Sequence, residues 1–293
     1  MKLSVKIMLS LLVVAIILTL ISGCAEDDAL VQSLLDLSGA PVRYDDSGAG
    51  KHLNVVTVSM SCSADKEANL QKIENTVLSV AKEYPQTELI LFGETILGLY
   101  IHSRDEEAYQ RSVAESIPGP VTDQLGLLTD SLNIFLGFGM SELKTGKLYN
   151  SLVLLNPNGE IEAVHRKVNL TPEDIRSGFT PAEKADSSVT IVTIKDIRTA
   201  LIVCADVSGF WLTEQITKHK AELILHSLAS NAVEFRFDPV ARQYNAWAVF
   251  ANRYGQEGEW DYSGTAYIAD PAGTIRTGGD GSEGTFYYRI GVY

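Results

Sequence analysis

Thr199-Ala200-Leu201-Ile202-Val203-Cys204-Ala205-Asp206 runs from an uninterrupted apolar stretch onto a thiol and then a carboxylate. A run this short and this uniformly apolar reads as a strand covered on both faces, as in the sheet of a layered α/β protein. The same arrangement occurs twice more. Leu89-Ile90-Leu91-Phe92 leads to Glu94, and the run from Ile161 to Arg166 leads to Lys167. Side chains just past the carboxyl ends of such strands face the crevice where α/β sheets build their sites. Working outward, further strands are predicted over 53–60, 134–139, 148–155, 189–194, 223–226, 247–251, 265–269 and 285–292. Leu70, Ile73, Val77 and Val80 recur at helical spacing in a helix that ends near Pro85. Further helices are predicted over 212–220 and before Asn245. Asn156-Pro157-Asn158-Gly159 is a turn that folds 148–166 into a hairpin. Helix-linked strands mixed with hairpins predict an α/β sandwich with mixed sheets rather than a purely parallel sheet.

The 293 residues carry 24 Lys and Arg against 37 Asp and Glu, a net charge of -13. Such a chain repels nucleic acid and anionic lipid surfaces, and no basic stripe offsets this. The length suits one large domain, predicted over 51–293. Ahead of it, Lys2 and Lys6 precede an apolar run from Ile7 to Ile21, followed by Ser22-Gly23-Cys24, the layout of a secretory signal peptide. At about 1.5 Å per residue the run spans roughly 22 Å, short of the roughly 30 Å hydrocarbon core of a bilayer. The small residues before Cys24 resemble the lipobox of bacterial lipoproteins, whose cysteine is acylated and becomes the first mature residue. On that reading residues 1–23 are a lipoprotein signal peptide and Cys24 carries the lipid. Residues 24–50 are then a tether with one short helix over 30–37, and the protein is held on a membrane outside the cytoplasm. Ala25 rather than Asp after Cys24 suggests the outer membrane where the cell has one. Losing Lys2 and Lys6 with the signal and no acid takes the charge from -13 to -15. Cys62 and Cys204 remain, two thiols able to form one disulfide.

Each reactive residue alone has a plain reading: Cys204 as a small buried hydrophobe, Glu94 as a hydrogen-bonded acid, Lys167 as a surface cation. Together they carry a pattern. Glu94-Thr95 with Leu97-Gly98-Leu99-Tyr100 resembles the first motif of the nitrilase superfamily of carbon-nitrogen hydrolases. His165-Arg166-Lys167-Val168-Asn169-Leu170, preceded by Leu148-Tyr149-Asn150-Ser151, resembles its lysine motif, and Cys204-Ala205-Asp206 with Phe210 its nucleophile motif. Ala251-Asn252-Arg253-Tyr254-Gly255 and Asp270-Pro271-Ala272-Gly273 continue the pattern in order. Gly93 and Trp211 depart from it, each standing where a Pro is common. The resemblance implies an α/β fold, an αββα four-layer sandwich with two mixed β-sheets, that forms a homodimer through helices. It also implies a catalytic Cys, Glu and Lys that need no cofactor. A second glutamate that orients lysine and substrate is implied as well, matched here by Glu173, with Glu142 as the alternative. Beside Pro172 and Asp174, Glu173 also reads as a helix-start acid favoured by the dipole.

The implied roles make chemical sense. Attack on an amide carbonyl needs a strong nucleophile, and a free thiol of pKa about 8.5 is only a few per cent ionised at neutral pH. Glu94 is the natural base for the Cys204 proton, and the Lys167 ammonium with the Ala205 backbone N–H would stabilise the oxyanion. Expelling the amine leaves a thioester on Cys204, which water activated by Glu94 hydrolyses. Lys167 favours the thiolate and Glu94 opposes it, so the resting proton position stays open at this level. The expected activity is hydrolysis of non-peptide carbon-nitrogen bonds in small linear amides or carbamoyl amides. Ala205-Asp206 after the cysteine is similar to the amidase-like branches, whereas the nitrilase branch commonly has Trp-Glu there. His165-Arg166-Lys167 and the spacing from Glu173 to Phe179 are closer to nitrilases. A nitrile hydrolase therefore stays open, as do an N-acyltransferase using the same thioester and a non-catalytic surface-binding lipoprotein. The five His show no metal-ligand spacing, and no metal site is predicted.

Overall fold

The computed structural model describes residues 44–101, 105–185, 188–231, 238–279 and 281–293. The signal peptide, Cys24 and the short helix expected over 30–37 lie outside them. In chain order the elements are β1 (Lys51–Ser61), α1 (Lys66–Glu83), β2 (Leu89–Leu91), α2 (Glu106–Val113), α3 (Pro120–Leu132), β3 (Phe135–Lys144), β4 (Lys147–Leu155) and β5 (Ile161–Arg166). Then follow α4 (Pro172–Arg176), β6 (Ile191–Ile194), β7 (Ile197–Val203), a 3-10 turn (Cys204–Ser208), α5 (Phe210–Lys218), β8 (Leu223–Ser227) and α6 (Asp238–Tyr244). The chain closes with β9 (Trp247–Glu257), β10 (Trp260–Ser263), β11 (Tyr267–Ala269), β12 (Ile275–Gly278) and β13 (Gly284–Val292). No helix of the described residues is long and apolar enough to cross a membrane.

Local chemistry sets the element ends. The Asp65 carboxylate accepts the Ala68 N–H at 3.2 Å and so caps α1, and the helix stops just before Pro85, which offers no N–H to continue it. Pro120 opens α3 at its first turn, where a missing N–H is harmless. In the β4–β5 hairpin the Asn156 carboxamide oxygen accepts the N–H groups of Asn158 and Glu160, which ties the turn that the sequence announces.

The first sheet runs β5-β4-β3-β2-β1, with β13 antiparallel to β1. Its β1, β2 and β3 are mutually parallel, while β3, β4 and β5 alternate. The second sheet runs β6-β7-β8-β9, parallel except for β6. Both sheets are therefore mixed. Strand β9 belongs to both: Trp247 to Ala251 pair with β8, and Asn252 to Tyr254 pair with β1.

Three apolar layers follow. Leu53, Val55, Leu89 and Leu154 of the first sheet meet Leu201, Val203, Leu225 and Val249 of the second in the middle of the molecule. On the outer face of the first sheet, Leu70, Ile73, Val77 and Val80 of α1 and Leu125 of α3 cover Val56, Ile90 and Leu136. On the outer face of the second, Leu212 and Ile216 of α5 with Val240 of α6 cover Ile202, Ile224 and Phe250. Each fully buried aliphatic or aromatic side chain contributes roughly 1.5–3 kcal/mol, so these stripes hold the layers together. The result is the αββα four-layer sandwich. Residues 44–293 form the compact unit, with Tyr44 edge-on to Trp247 at 5.6 Å, so residues 44–50 pack on the sandwich although the sequence reads them as the end of the tether.

Candidate active site

Three strand ends meet. Beyond β2 the chain turns so that Glu94 N–H donates to Leu228 O at 3.0 Å, and Ile96 N–H donates to Gly139 O at 2.9 Å. This turn lies so close to β3 that a Cβ on Gly139 would stand 2.5 Å from Thr95 N and 2.7 Å from Glu94 Cα. Only glycine lets the two backbones approach this way. From β9, the buried Arg253 donates through Nη1 to Glu94 O at 2.9 Å and Thr95 O at 2.8 Å, and through Nη2 to Gly98 O at 2.6 Å. Glu257 holds its Nε at 2.7 Å and accepts Tyr100 N–H at 2.8 Å. One guanidinium thus ties down the main chain that carries Glu94.

Lys167 follows β5 directly, and its backbone N–H donates to Asn150 O at 2.9 Å. Its buried Nζ lies 2.7 Å from Glu94 Oε1 and 2.7 Å from Asp174 Oδ2. Asn150 Nδ2 donates to Glu94 Oε1 at 2.6 Å and to Asp174 Oδ1 at 3.0 Å, and Tyr100 OH donates to Asp174 Oδ1 at 2.9 Å. Burial is the largest single effect and would strip the Lys167 proton, but the acidic groups around it, Glu94 foremost and Asp174 among them, together outweigh burial and hold the ammonium well above its ordinary value. Burial pushes Glu94 above the usual carboxylate range, while Lys167 and Asn150 pull it back.

The carboxylate that partners Lys167 with Glu94 is Asp174, which corrects the assignment of Glu173. Glu173 stays partly exposed and reaches Arg176 at 3.3 Å. Thr171 caps α4, and Asp174 in turn accepts the Thr171 N–H at 2.9 Å, which sets the helix phase. Consecutive helical residues point about 100° apart, so with Asp174 turned inward Glu173 faces away. Glu142 is engaged elsewhere, by Arg166 at 2.6 and 2.5 Å and by Ser151 Oγ at 2.7 Å.

Cys204 follows β7 and opens the 3-10 turn with φ of 43°, a left-handed conformation that costs a non-glycine residue strain. Four contacts to one carboxylate fix this turn, three of them to the lysine segment. Asp206 Oδ1 accepts the N–H groups of Val168 and Asn169, each at 2.9 Å; Oδ2 accepts Val203 N–H at 3.1 Å and lies 2.8 Å from His165 Nε2. Burial opposes its charge, yet the His165 contact and the backbone donors hold Asp206 below the usual carboxylate range. Beneath the turn, His226 Nε2–H donates to Cys204 O at 3.0 Å, and burial pushes this imidazole down to about 4. Burial and the Glu94 charge push the Cys204 thiol up to about 12 against the pull of Lys167, which places the resting proton on sulfur. Ala205 is the next residue of the turn, where an N–H has no partner within the turn itself.

Cys62 and Cys204 are both free thiols, so the possible disulfide does not form. Cys62 donates to Ile96 O at 3.3 Å, below the Glu94 turn. Reading the sequence identified Glu94, Lys167 and Cys204 but assigned no role to Asp174, Asn150, Tyr100, Asp206, His226 or Arg253. Several stand inside the quoted motifs, yet only the three-dimensional contacts reveal what each one holds. A cavity of about 420 Å³ lined by Lys144, Lys147, Tyr149, Arg166 and Thr190 is a separate feature, since none of the three reactive residues lines it.

A four-layer αββα sandwich whose sheets bring together a buried carboxylate, an ammonium and a thiol defines an enzyme of the carbon-nitrogen hydrolase class. The chain belongs to the carbon-nitrogen hydrolase family, whose model matches residues 54–291. It is similar to an (R)-stereoselective amidase of Pseudomonas sp, 26% identical over 220 residues that make up 72% of this chain and 74% of the relative. It is also similar to the omega-amidase NIT3 of Saccharomyces cerevisiae, 32% identical over 133 residues, 44% of this chain and 45% of that one. The crystal structure of Saccharomyces cerevisiae Nit3, a member of branch 10 of the nitrilase superfamily, superposes with a TM-score of 0.70 at 22% identity, covering 83% of this chain and 91% of that chain.

Proposed function

We propose that the protein hydrolyses small linear amides or carbamoyl amides through a thioester on Cys204. The observation that carries this is the Lys167 ammonium held 2.7 Å from Glu94 Oε1 while Glu94 Oε2, buried in the same cluster, has no hydrogen-bond partner. That oxygen is the acceptor for the Cys204 proton. As the proton moves, sulfur bonds to the substrate carbonyl carbon, and the oxygen takes the electron pair beside Lys167 and the Ala205 N–H. Glu94 returns the proton to the departing nitrogen, the carbon-nitrogen bond breaks, and a thioester remains. Glu94 then takes a proton from water, whose oxygen attacks the thioester and releases the acid and the thiol. The amide preference is drawn from the amidase relatives and from Ala205-Asp206 after the nucleophile. The test measures release of ammonia or amine from paired amides and nitriles with the same acyl group, with Cys204→Ala and Cys62→Ala alongside. Amides turning over faster, with activity lost only in Cys204→Ala, is the expected result. Faster turnover of nitriles across several pairs overturns the amide assignment, and an active Cys204→Ala variant overturns the mechanism. Hydroxamate or substituted amide formed on adding an amine would identify an acyltransferase instead.

We also propose that Cys24 carries a lipid that holds the enzyme on a membrane outside the cytoplasm, an inference from Ile7 to Cys24 alone. Self-association to a homodimer is proposed from the family resemblance and from Ile175 and Phe210, 65% and 84% exposed on α4 and α5. A monomer at micromolar concentration in sedimentation equilibrium overturns the dimer.

A further inference from the structure

Tyr262, on β10, is 1% exposed, and its hydroxyl is a buried polar atom with no hydrogen-bond partner. Buried hydroxyls are nearly always satisfied, so one that is not calls for a physical reason. Its place in the fold supplies one. The Tyr262 ring lies against the Arg253 guanidinium, 5.6 Å from its centroid, and that guanidinium holds the Glu94 main chain. The side chain packs in an apolar cluster with Tyr100, Leu148, Phe179 and Ala229. Tyr100 donates to Asp174 and its ring lies 5.8 Å from Lys167 Nζ, and Leu228, the residue before Ala229, accepts the Glu94 N–H, so this cluster adjoins the Glu94, Lys167 and Asp174 side of the site. Two further buried atoms of the same region lack partners, Glu94 Oε2 and Asn150 Oδ1. The Asn150 orientation is fixed chemically, because its Nδ2 donates to two carboxylates that would repel its oxygen. The Glu94, Lys167 and Asp174 side of the site is thus charged, and in the cluster that adjoins it Tyr262 offers a single unpaired hydroxyl.

We propose that Tyr262 is a specificity-determining residue whose hydroxyl hydrogen-bonds the acyl part of the substrate, so that acyl chains bearing a hydroxyl or carboxamide are preferred over plain alkyl chains. This rests on the amide-hydrolase reading above. A site built around a hydrogen bond discriminates against an analogue that lacks the matching group, because its own polar atom is then left unpaired. The test compares wild type with Tyr262→Phe, which keeps the ring and removes one oxygen, on amides of equal acyl length with and without a terminal hydroxyl or carboxamide. Wild type is expected to favour the polar member by about tenfold in kcat/KM, roughly 1.4 kcal/mol. Tyr262→Phe loses that preference with no fall in Tm. The same pairs are titrated calorimetrically into Cys204→Ala with and without Tyr262→Phe, a comparison that needs no turnover. Wild type inert on every amide defeats the hydrolase reading, yet a Tyr262-dependent difference in the titrations still upholds the contact. A preference unchanged in Tyr262→Phe in both assays overturns the inference, and a Tm several degrees lower with unchanged preference assigns the hydroxyl a structural role.

Discussion

Lys167 is shared between two carboxylates, each 2.7 Å away, and they do different work. Glu94 keeps one buried oxygen, Oε2, without a partner and is the proposed acceptor of the thiol proton, whereas Asp174 is fully engaged by Tyr100, Asn150, the Thr171 N–H and the ammonium. Asp174 therefore positions Lys167, and its charge also raises the Glu94 pKa, behind the larger effects of burial and Lys167. Removing that charge weakens the anchoring of the ammonium and lets Glu94 lose its proton more easily. We expect Asp174→Asn to lower kcat by about 100-fold, the usual loss when a group that orients a charge-stabilising partner is removed. Its acidic limb in the pH-rate profile, where activity falls as Glu94 protonates, should move to lower pH. Glu173→Gln, altering a partly exposed neighbour, should stay within about twofold of wild type. Equal losses in the two variants, or an acidic limb unmoved in Asp174→Asn, contradict this division of labour.

At the scale of elements, β7 and β8 form a platform on which the Cys204 turn rests, with Ile202 opposite His226 in register. His226 donates to Cys204 O from a fully buried position and is neutral near pH 7, its pKa pushed down to about 4 against 6.5 for a free imidazole. The folded protein thus binds fewer protons here than the unfolded chain. The corresponding stability is fully present above about pH 6.5 and is lost as pH falls toward 4, on the order of 3 kcal/mol over that window. Glu94, shifted upward, acts in the opposite sense in any variant that retains it. His226→Gln, which keeps a side-chain N–H donor, should show a smaller drop in Tm between pH 7 and pH 4.5 than wild type. Parallel Tm profiles would falsify the assignment. Much of this platform is legible in the sequence, because short uniform apolar runs ending on reactive residues have few other readings. Helices α2 and α3 are not predicted, since α2 buries only Gln110 and Val113, and α3 places Gly126 against Gly159 where an apolar side chain would mark its face. Asp174 is missed for a related reason: choosing between Glu173 and Asp174 requires the phase of a helix of five residues, set by the Thr171 cap. Strand β9 is predicted to end at Ala251 but runs to Glu257, because its second half leaves one sheet and joins the other, a long-range event with no local sequence signature.

For the whole molecule, the lipid proposal concerns Cys24, which precedes the described residues in the chain. Cys24→Ser should abolish incorporation of labelled fatty acid and leave the hydrolytic activity of the soluble protein unchanged, because none of the site contacts described above involves it. Continued labelling of Cys24→Ser defeats the proposal. The sandwich itself has one feature with a consequence for how it comes apart. Strand β9 is registered against β8 through Ala251 and against β1 from Asn252, so neither sheet is complete without it. Glu94 extends from the first sheet and Cys204 from the second. Loss of either sheet strips a strand from the other, so backbone amides of both should exchange with solvent through one shared opening rather than two. Heating or denaturant then produces no half-molecule that keeps the site: Glu94 and Cys204 are parted in the same cooperative event that melts the strand shared by their sheets.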